Sequence, residues 1–157
     1  KETMPFNLGD FTTPLGIPEV VQEGSDITLV SYGSTFNVVM AAQPLLQQAG
    51  ISAEVIDVRT LLPFDIEHRI GASLQKTNRI LFIDEDVPGG ATAFMMQHVL
   101  DEQGGYRFLD SKAECLTAKP HRPAYSTDGD YFSKPSVEDI FDAVYEIMHE
   151  SDPTRFP

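Results

Sequence analysis

Apolar and polar positions along the chain follow two periods, one typical of strands and one typical of helices. Runs rich in β-branched and aromatic residues predict strands at 26–34, 53–61, 79–84 and 114–118. Between these runs, apolar residues recur at helical spacing. Strands that alternate with helices, joined by connections long enough to cross over, predict an α/β fold in which a mainly parallel sheet has helices on both sides. The earlier segment PEVVQEG can add one edge strand.

Capping signals mark where the first helices begin and end. Ser34 or Thr35 can cap a helix that ends at Gly50. Asp65 can cap a second helix, whose apolar face carries Ile66, Ile70 and Leu74. The sequence therefore predicts one helix between the first and second long strands and another before the third.

The last helix has the clearest signals in the chain. Ser136 is its predicted cap, and Glu138 and Asp139 fall in the first turn, where the helix dipole favours negative charge. Its apolar stripe consists of Val137, Ile140, Phe141, Val144, Ile147 and Met148. The opposite face is acidic. The proline-rich stretch before it, KPHRPAYSTDGDYFSKP, is predicted to be a loop.

Composition narrows the class of protein. The 157 residues suit one domain with one core, and 41% apolar residues with 22% charged residues are typical of a globular protein. The net charge of -13 repels phosphate backbones and anionic lipid surfaces, so we expect no nucleic-acid and no membrane partner. The single cysteine, Cys115, excludes an internal disulfide framework; a buried structural thiol in a cytoplasmic protein is the expectation.

Candidate chemistry gathers where the predicted strands end, at 32–34, 57–59 and 84–86. The stretch SYGST can bind phosphate at a helix N-terminus, but the fuller glycine-rich signatures are absent and helix capping is favoured. Asp57, Asp84 and Asp86 can supply oxygen ligands to Mg²⁺. A phosphoacceptor receiver domain also needs an acidic pair after the first strand, which VSYGS lacks, although Lys119 suits its lysine position. The four histidines show no zinc-binding spacing.

The helix expected after Gly90, running to about Gln103, is apolar over a wide arc. Its large side chains, Phe94, Met95, Met96 and Val99, spread over more than one face. A helix of this kind needs cover on several sides, and one small domain offers little. These four residues are therefore the predicted subunit interface.

Four blocks of sequence together resemble a known family. EVVQEGSDITLVSYGS, GISAEVIDVRTLLPFD, KTNRILFIDEDVPGGA and KPSVEDIFDAV are similar, in order and spacing, to the C-terminal domain of the transketolase-like family. The match is closest to the beta subunit of bacterial thiamine-diphosphate-dependent 2-oxoacid dehydrogenases of the pyruvate and branched-chain type, and it covers about 14–148. In some bacterial forms the alpha and beta regions are fused. The stretch PLGIPEVVQEGSD favours the branched-chain type slightly.

The resemblance implies a fold and a division of labour. It implies a three-layer α/β/α domain at 25–150 with about five strands, one edge strand antiparallel, preceded by an extended lead-in at 1–24 and followed by a tail at 151–157. In this family thiamine diphosphate and Mg²⁺ lie between the alpha subunit, or alpha-like region, and the N-terminal domain of the beta subunit. We therefore expect no catalytic, cofactor-binding or metal-binding residue in these 157 residues.

The implied role is assembly of the multienzyme complex. The domain pairs two beta subunits and docks the lipoyl acyltransferase core, whose binding modules are small and basic. Docking candidates are Asp128, Asp130, Glu146 and Glu150. The acids at 84–86 and the Pro-Gly-Gly that follows are then a strand-to-helix turn. The alternative is a stand-alone module that binds a small ligand or phosphate through its SYGS and VPGG turns.

Overall fold

The computed structural model describes residues 6, 8–122 and 125–157. Its strands are β1 (Glu19–Gln22), β2 (Ile27–Ser31), β3 (Ala53–Asp57), β4 (Ile80–Ile83) and β5 (Glu114–Leu116). Its helices are α1 (Gly33–Gln48), α2 (Arg69–Thr77), α3 (Ala91–Gln97), α4 (Ser126–Ser133) and α5 (Val137–Ser151). Short 3₁₀ turns lie at Leu8–Asp10 and Gly105–Phe108, and a π-helical turn, His98–Glu102, extends α3. Among the described helices, none is long and apolar enough to cross a membrane.

The five strands form one sheet in the order β1-β3-β2-β4-β5. β1 runs antiparallel to β3, and the other neighbouring pairs are parallel. The predicted α/β fold with one antiparallel edge strand is thus confirmed. β1 belongs to the segment predicted as a lead-in, and Phe156, in the predicted tail, is buried in the core. The packed unit therefore extends beyond 25–150 on both sides.

One face of the sheet is covered by α1 and α5. Side chains alternate across a strand, so every second residue of β2 and β4 points to this face. The fully buried contacts include Ile27, Leu29, Leu81 and Ile83 from the strands and Val39, Leu46, Ile140 and Val144 from the helices. α5 follows the prediction closely, because Ser136 and Asp139 form a reciprocal capping box at its start.

The other face is covered by α2 and α3 and contains buried polar groups. Val30, Phe82 and Met95 pack here without solvent exposure. Between them and α2, the Thr28 hydroxyl shares hydrogen bonds with the hydroxyls of Ser73 (2.6 Å) and Thr77 (2.7 Å). This face therefore combines apolar packing with a hydroxyl cluster.

The start of α2 differs from its prediction. Asp65 and His68 both adopt positive φ angles, 40° and 55°, so the chain becomes helical only at Arg69. Ile66 lies outside the helix and is 58% exposed, contrary to the prediction that it shares the buried face. Asp65 nevertheless stabilises the helix start, since its carboxylate accepts hydrogen bonds from the backbone N–H groups of Arg69 (2.8 Å) and Ile70 (3.1 Å).

α4 lies where a loop was predicted. It buries only Gly129 and Ser133 and so has no apolar stripe that sequence periodicity can detect. Predicted strand ends were also too long: β2 stops at Ser31 because α1 begins at Gly33, and β3 stops at Asp57 because Arg59 turns the chain with a φ of 62°.

Two of the four predicted interface residues lie inside the domain. Met95 and Val99 are fully buried beneath the sheet, so a partner subunit cannot touch their side chains in this conformation. Phe94 and Met96 are half-buried at the edge of the same cluster. The wide apolar arc therefore reflects the domain's own core on one side and a small surface patch on the other.

Candidate functional site

The carboxyl ends of β2 and β4 meet in a crevice of about 420 Å³. Because the strands are parallel and adjacent, residues 32–34 and 84–86 come together as the sequence predicted. The Tyr32 hydroxyl donates to Asp84 Oδ2 (2.8 Å), and the Ser34 hydroxyl donates to Glu85 Oε1 (3.1 Å). These contacts join the two strand ends across the floor of the crevice.

Asp57 does not join this crevice. Its Oδ1 accepts a hydrogen bond from the Arg59 backbone (3.2 Å), and the Arg59 guanidinium also pairs with Glu19. Burial raises the pKa of Asp57. The Mg²⁺ cluster of Asp57, Asp84 and Asp86 is not formed, and within the described residues no group of three His, Cys, Asp or Glu side chains is placed to hold a metal ion.

The acids at 84–86 shape the turn between β4 and α3. Asp84 Oδ1 accepts from the Glu85 N–H (2.7 Å), and Asp86 Oδ1 accepts from the Val87 N–H (2.8 Å). Gly90 lies so close to the Asp86 carboxylate that a Cβ there would collide with it. Gly89 adopts a φ of 91°, which favours glycine, and the strand-to-helix turn predicted from the sequence is confirmed.

Lys134 bridges this crevice to α4. Its ammonium lies 2.9 Å from Glu85 Oε2 and 3.7 Å from Asp130 Oδ1. The hydrogen bond from Lys134 lowers the pKa of Glu85, and burial, with a smaller effect of the bond to Asp84, raises the pKa of Tyr32. The phenol therefore stays protonated at neutral pH, and the three carboxylates repel phosphate. The crevice suits neither acid–base chemistry nor the SYGS phosphate site.

A second, more apolar space, the α4 cleft, has a volume of about 520 Å³. It lies between the starts of α1 and α5 and the side of α4. Its walls are formed by Val38, Tyr131, Pro135 and Val137, and its rim by Ser34, Glu85, Asp130, Lys134 and Glu138.

A third space, the β5 groove, has a volume of about 190 Å³ and runs between strand β5 and helix α5. Its acidic residues are Glu114, Glu146 and Glu150, and its apolar residues include Leu116 and Ile147. Lys112 pairs with Glu114.

The structure places three of the four predicted docking acids on two different surfaces and the fourth on neither. Glu146 and Glu150 line the β5 groove, whereas Asp130 lies on the rim of the α4 cleft. Asp128 is exposed in the first turn of α4. Sequence reasoning missed Glu114, Lys134 and Glu138 at these sites. Glu114 opens a predicted strand, and its distance along the chain from α5 concealed the contact.

The remaining candidate side chains serve packing. The centroid of the His98 ring lies 4.4 Å from that of Phe94 and 5.6 Å from that of Phe64, and His98 Nδ1 lies 2.7 Å from Glu102 Oε2. His121 Nδ1 is 2.9 Å from the carbonyl oxygen of Arg122, which makes it a loop contact. Cys115 is half-buried rather than fully buried, and burial raises its pKa, so it stays a thiol.

Comparisons with known proteins agree with this architecture. The family model described as the transketolase C-terminal domain matches residues 16–140. The pyruvate dehydrogenase E1 component subunit beta of Mesostigma viride is 33% identical over 149 residues, which cover 94% of this chain and 44% of that protein. The acetoin:2,6-dichlorophenolindophenol oxidoreductase subunit beta of Bacillus subtilis (strain 168) is 39% identical over 113 residues, 72% of this chain and 32% of that protein.

Among solved structures, a split-gene transketolase, described as an inactive beta4 tetramer, matches with a TM-score of 0.70 and 20% identity. The match covers 88% of this chain and 44% of that one. Fold and side-chain arrangement define an α/β/α domain of the transketolase C-terminal type. The chain belongs to the transketolase C-terminal domain family. It spans less than half the length of the curated relatives just described.

Proposed function

We propose that this chain is the C-terminal assembly domain of the decarboxylating component of a 2-oxoacid dehydrogenase complex. The observation that carries the proposal is the match over 94% of the chain to a pyruvate dehydrogenase E1 beta subunit. The crevice at the strand ends is consistent with it, since the hydroxyls of Tyr32 and Ser34 are paired with carboxylates of the same chain. The complete component decarboxylates a 2-oxoacid and transfers the acyl group to a lipoyl group.

Thiamine diphosphate and Mg²⁺ supply the chemistry in this proposal, held by the alpha subunit or alpha-like region and the N-terminal region of the beta subunit. Calorimetric titration tests this division with two samples, the 157-residue chain and the component assembled with its alpha region. We expect one-site binding by the assembled component only. One-site binding of thiamine diphosphate by the chain alone contradicts the proposal.

Pairing of two beta subunits is assigned to the patch around α3. Phe94 and Met96 are half-buried there, and the Phe94 ring packs edge-on against Phe64 at 5.7 Å. Met96→Glu in the full component should shift the sedimentation equilibrium towards single beta subunits, because it puts a charge into an apolar contact. Leu45→Glu is the control, since Leu45 is 37% exposed on α1, on the opposite face of the sheet. Equal effects of the two substitutions contradict this pairing surface.

Docking of the acyltransferase core is assigned to the β5 groove. Three glutamates around one lysine give this surface a net negative charge, which complements a small basic module. β5 is also a sheet edge, as order β1-β3-β2-β4-β5 leaves its outer side without a strand in the described part of the chain. A docking partner would therefore contact acidic side chains next to the unpaired edge of the sheet.

The docking test uses capture by an immobilised acyltransferase core. We expect capture at about 0.05 M salt to weaken strongly at about 0.5 M, where screening acts within a few ångströms. The double variant Glu146→Gln/Glu150→Gln should lose at least about fivefold in affinity. The control Glu67→Gln/Asp101→Asn, which changes two exposed acids beside α2 and α3 on the other side of the sheet, should lose less than about twofold. Capture that is insensitive to salt removes the docking assignment.

The identity of the 2-oxoacid belongs to the same proposal. PLGIPEVVQEGSD favours the branched-chain type, whereas the relatives carry pyruvate and acetoin in their names. Side-by-side assay of the assembled component with pyruvate and branched-chain 2-oxoacids decides between them. The proposed location is the cytoplasm, supported by the single half-buried thiol.

A further inference from the structure

The α4 cleft has an apolar centre whose polar neighbours already have partners. Tyr131 donates its hydroxyl to Glu138 Oε2 (3.0 Å), Lys134 pairs with Glu85, and Ser136 is used in the capping box of α5. The donors of the cleft are therefore used, its centre offers carbon surface, and the carboxylates at its rim keep acceptor sites. A volume of about 520 Å³ lies within the range of about 300–1,000 Å³ that is usual for binding pockets. The cleft is therefore shaped for an apolar side chain.

The rim of the cleft selects for positive charge. Glu85, Asp130 and Glu138 carry three carboxylates against the one ammonium of Lys134, which leaves two net negative charges. The net charge of -13 on the whole chain acts in the same direction. A nucleotide, a phosphate group or a second copy of this acidic chain meets repulsion here, whereas a lysine or arginine gains from it.

Exposed aromatic residues around α4 indicate a protein partner rather than a small amine. Tyr125, Tyr131 and Phe132 are 88%, 61% and 59% exposed. Aromatic side chains are enriched at the centres of protein interfaces, where they bury a large area at a low entropy cost. α4 itself buries only Gly129 and Ser133, so most of the helix surface is free to meet a partner.

We propose that the α4 cleft binds a short cationic segment of a partner protein. One aliphatic side chain of the segment enters between Val38, Pro135 and Val137, and a neighbouring lysine or arginine pairs with Asp130 and Glu138. This recognition surface is distinct from the β5 groove, since the two share no lining residue. The proposal goes beyond the assembly role and does not depend on the identity of the acyltransferase.

The probe is a labelled hexapeptide, acetyl-Lys-Leu-Lys-Lys-Leu-Lys-amide, with photoreactive leucines, added to the intact protein. Fluorescence anisotropy measures binding, and mass spectrometry of the cross-linked product locates the leucines. We expect cross-links to α1, α4 and the 134–138 segment. A peptide with serine in place of leucine should bind at least about fivefold more weakly, because it loses the apolar contact.

The acids are tested by a pair of matched variants. Asp130→Asn/Glu138→Gln should weaken the leucine peptide about fivefold or more. Glu67→Gln/Asp101→Asn, which removes two exposed acids far from the cleft along the chain, should change its binding less than about twofold. Circular dichroism confirms that both variants are folded. The β5 groove variant Glu146→Gln/Glu150→Gln should also leave this binding unchanged, which separates the cleft from the docking role.

Several results overturn the proposal. Cross-links confined to the β5 groove show that the peptide binds at another site. Equal losses in the two acid variants show that the acids of the cleft are not specific. Equal binding of the serine peptide shows that the apolar contact contributes nothing. Benzylamine is the small-cation competitor. If it displaces the peptide at concentrations below the dissociation constant of the peptide, the site belongs to small organic cations instead.

Discussion

The two faces of the sheet are built on different principles. The face under α1 and α5 consists of aliphatic side chains, such as Leu29, Leu81 and Val144, with no solvent exposure. The face under α2 and α3 contains the Thr28 hydroxyl cluster and the buried carboxyl group of Asp65, 1% exposed. Hydrophobic burial is non-directional, whereas hydrogen bonds have defined geometry.

The directional hydrogen bonds of the polar face hold particular segments of the domain in a fixed position. Asp65 accepts hydrogen bonds from the start of α2 and from Gln103 Nε2 (3.2 Å), so it ties the loop after β3 to the turn after α3. The apolar face has a polar link too, since the buried Gln43 of α1 accepts a hydrogen bond from Gln22 Nε2 (2.9 Å), but most of its contacts are aliphatic. We infer that substitutions on the two faces will differ in size and in pH dependence.

The largest effect is expected on the apolar face. Leu29→Ala removes fully buried carbon and should lower the free energy of unfolding by about 2–5 kcal/mol. Leu45→Ala, at a position 37% exposed on α1, should cost less than about 1 kcal/mol. Urea unfolding measures both. If the two variants lose equal stability, this face is not a close-packed core.

On the polar face, Thr28→Val should cost about 1–3 kcal/mol, because it keeps the shape but leaves the buried hydroxyls of Ser73 and Thr77 without one partner. The double variant Thr28→Val/Ser73→Ala removes both members of one pair. Its cost should be smaller than the sum of the two single costs, measured by the same unfolding experiment. Strict additivity would show that the hydroxyls do not interact.

Asp65 should give the polar face a pH dependence of defined sign. Burial is the main cause that raises the pKa of Asp65. Between the unfolded pKa, about 4, and the higher folded pKa, the folded state holds more protons, so stability falls as pH rises through this window. Asp65→Asn should flatten that part of the curve of unfolding free energy against pH. An unchanged slope in the variant places the titration elsewhere, with Asp57 the next carboxyl to test.

The smallest effect is expected outside both faces, at the pair Glu85–Lys134. Both side chains are more than a third exposed, so Glu85→Gln should cost less than about 1 kcal/mol at neutral pH. Lys134 lowers the pKa of Glu85, so this contribution is present above the unfolded pKa of about 4.3 and is lost as pH falls through the folded value. Unfolding at pH 7 and pH 3 should show a larger difference at pH 7, with Asp142→Asn, an exposed acid, as the control.

The apolar face was also the more predictable one. The apolar runs of β2 and β4 and the stripe of α5 are local patterns, and they sufficed for a mainly parallel sheet with helices on both sides and for the cap at Ser136. The late start of α2 depends on the positive φ of Asp65 and His68, which periodicity does not report. α4 was not predicted, because it has almost no buried residues and therefore no apolar stripe.

The candidate sites were predictable only in part, since they depend on contacts between distant segments. Parallel neighbouring strands brought 32–34 and 84–86 together as expected. The composition of the β5 groove was not foreseeable. Glu114 lies beside Glu146 and Glu150 in space, but it is at least 32 positions from them along the chain, with all of α4 in between. Position along the chain does not reveal such a grouping.

The brevity of β5 has a consequence for behaviour at high concentration. Long bare strands at the side of a sheet can template fibres, and proteins guard against this with short strands and charge. β5 has only three residues available for pairing with another strand. The glutamates beside it repel the same glutamates of an identical molecule. The acids of the β5 groove therefore oppose pairing of this edge with an identical chain.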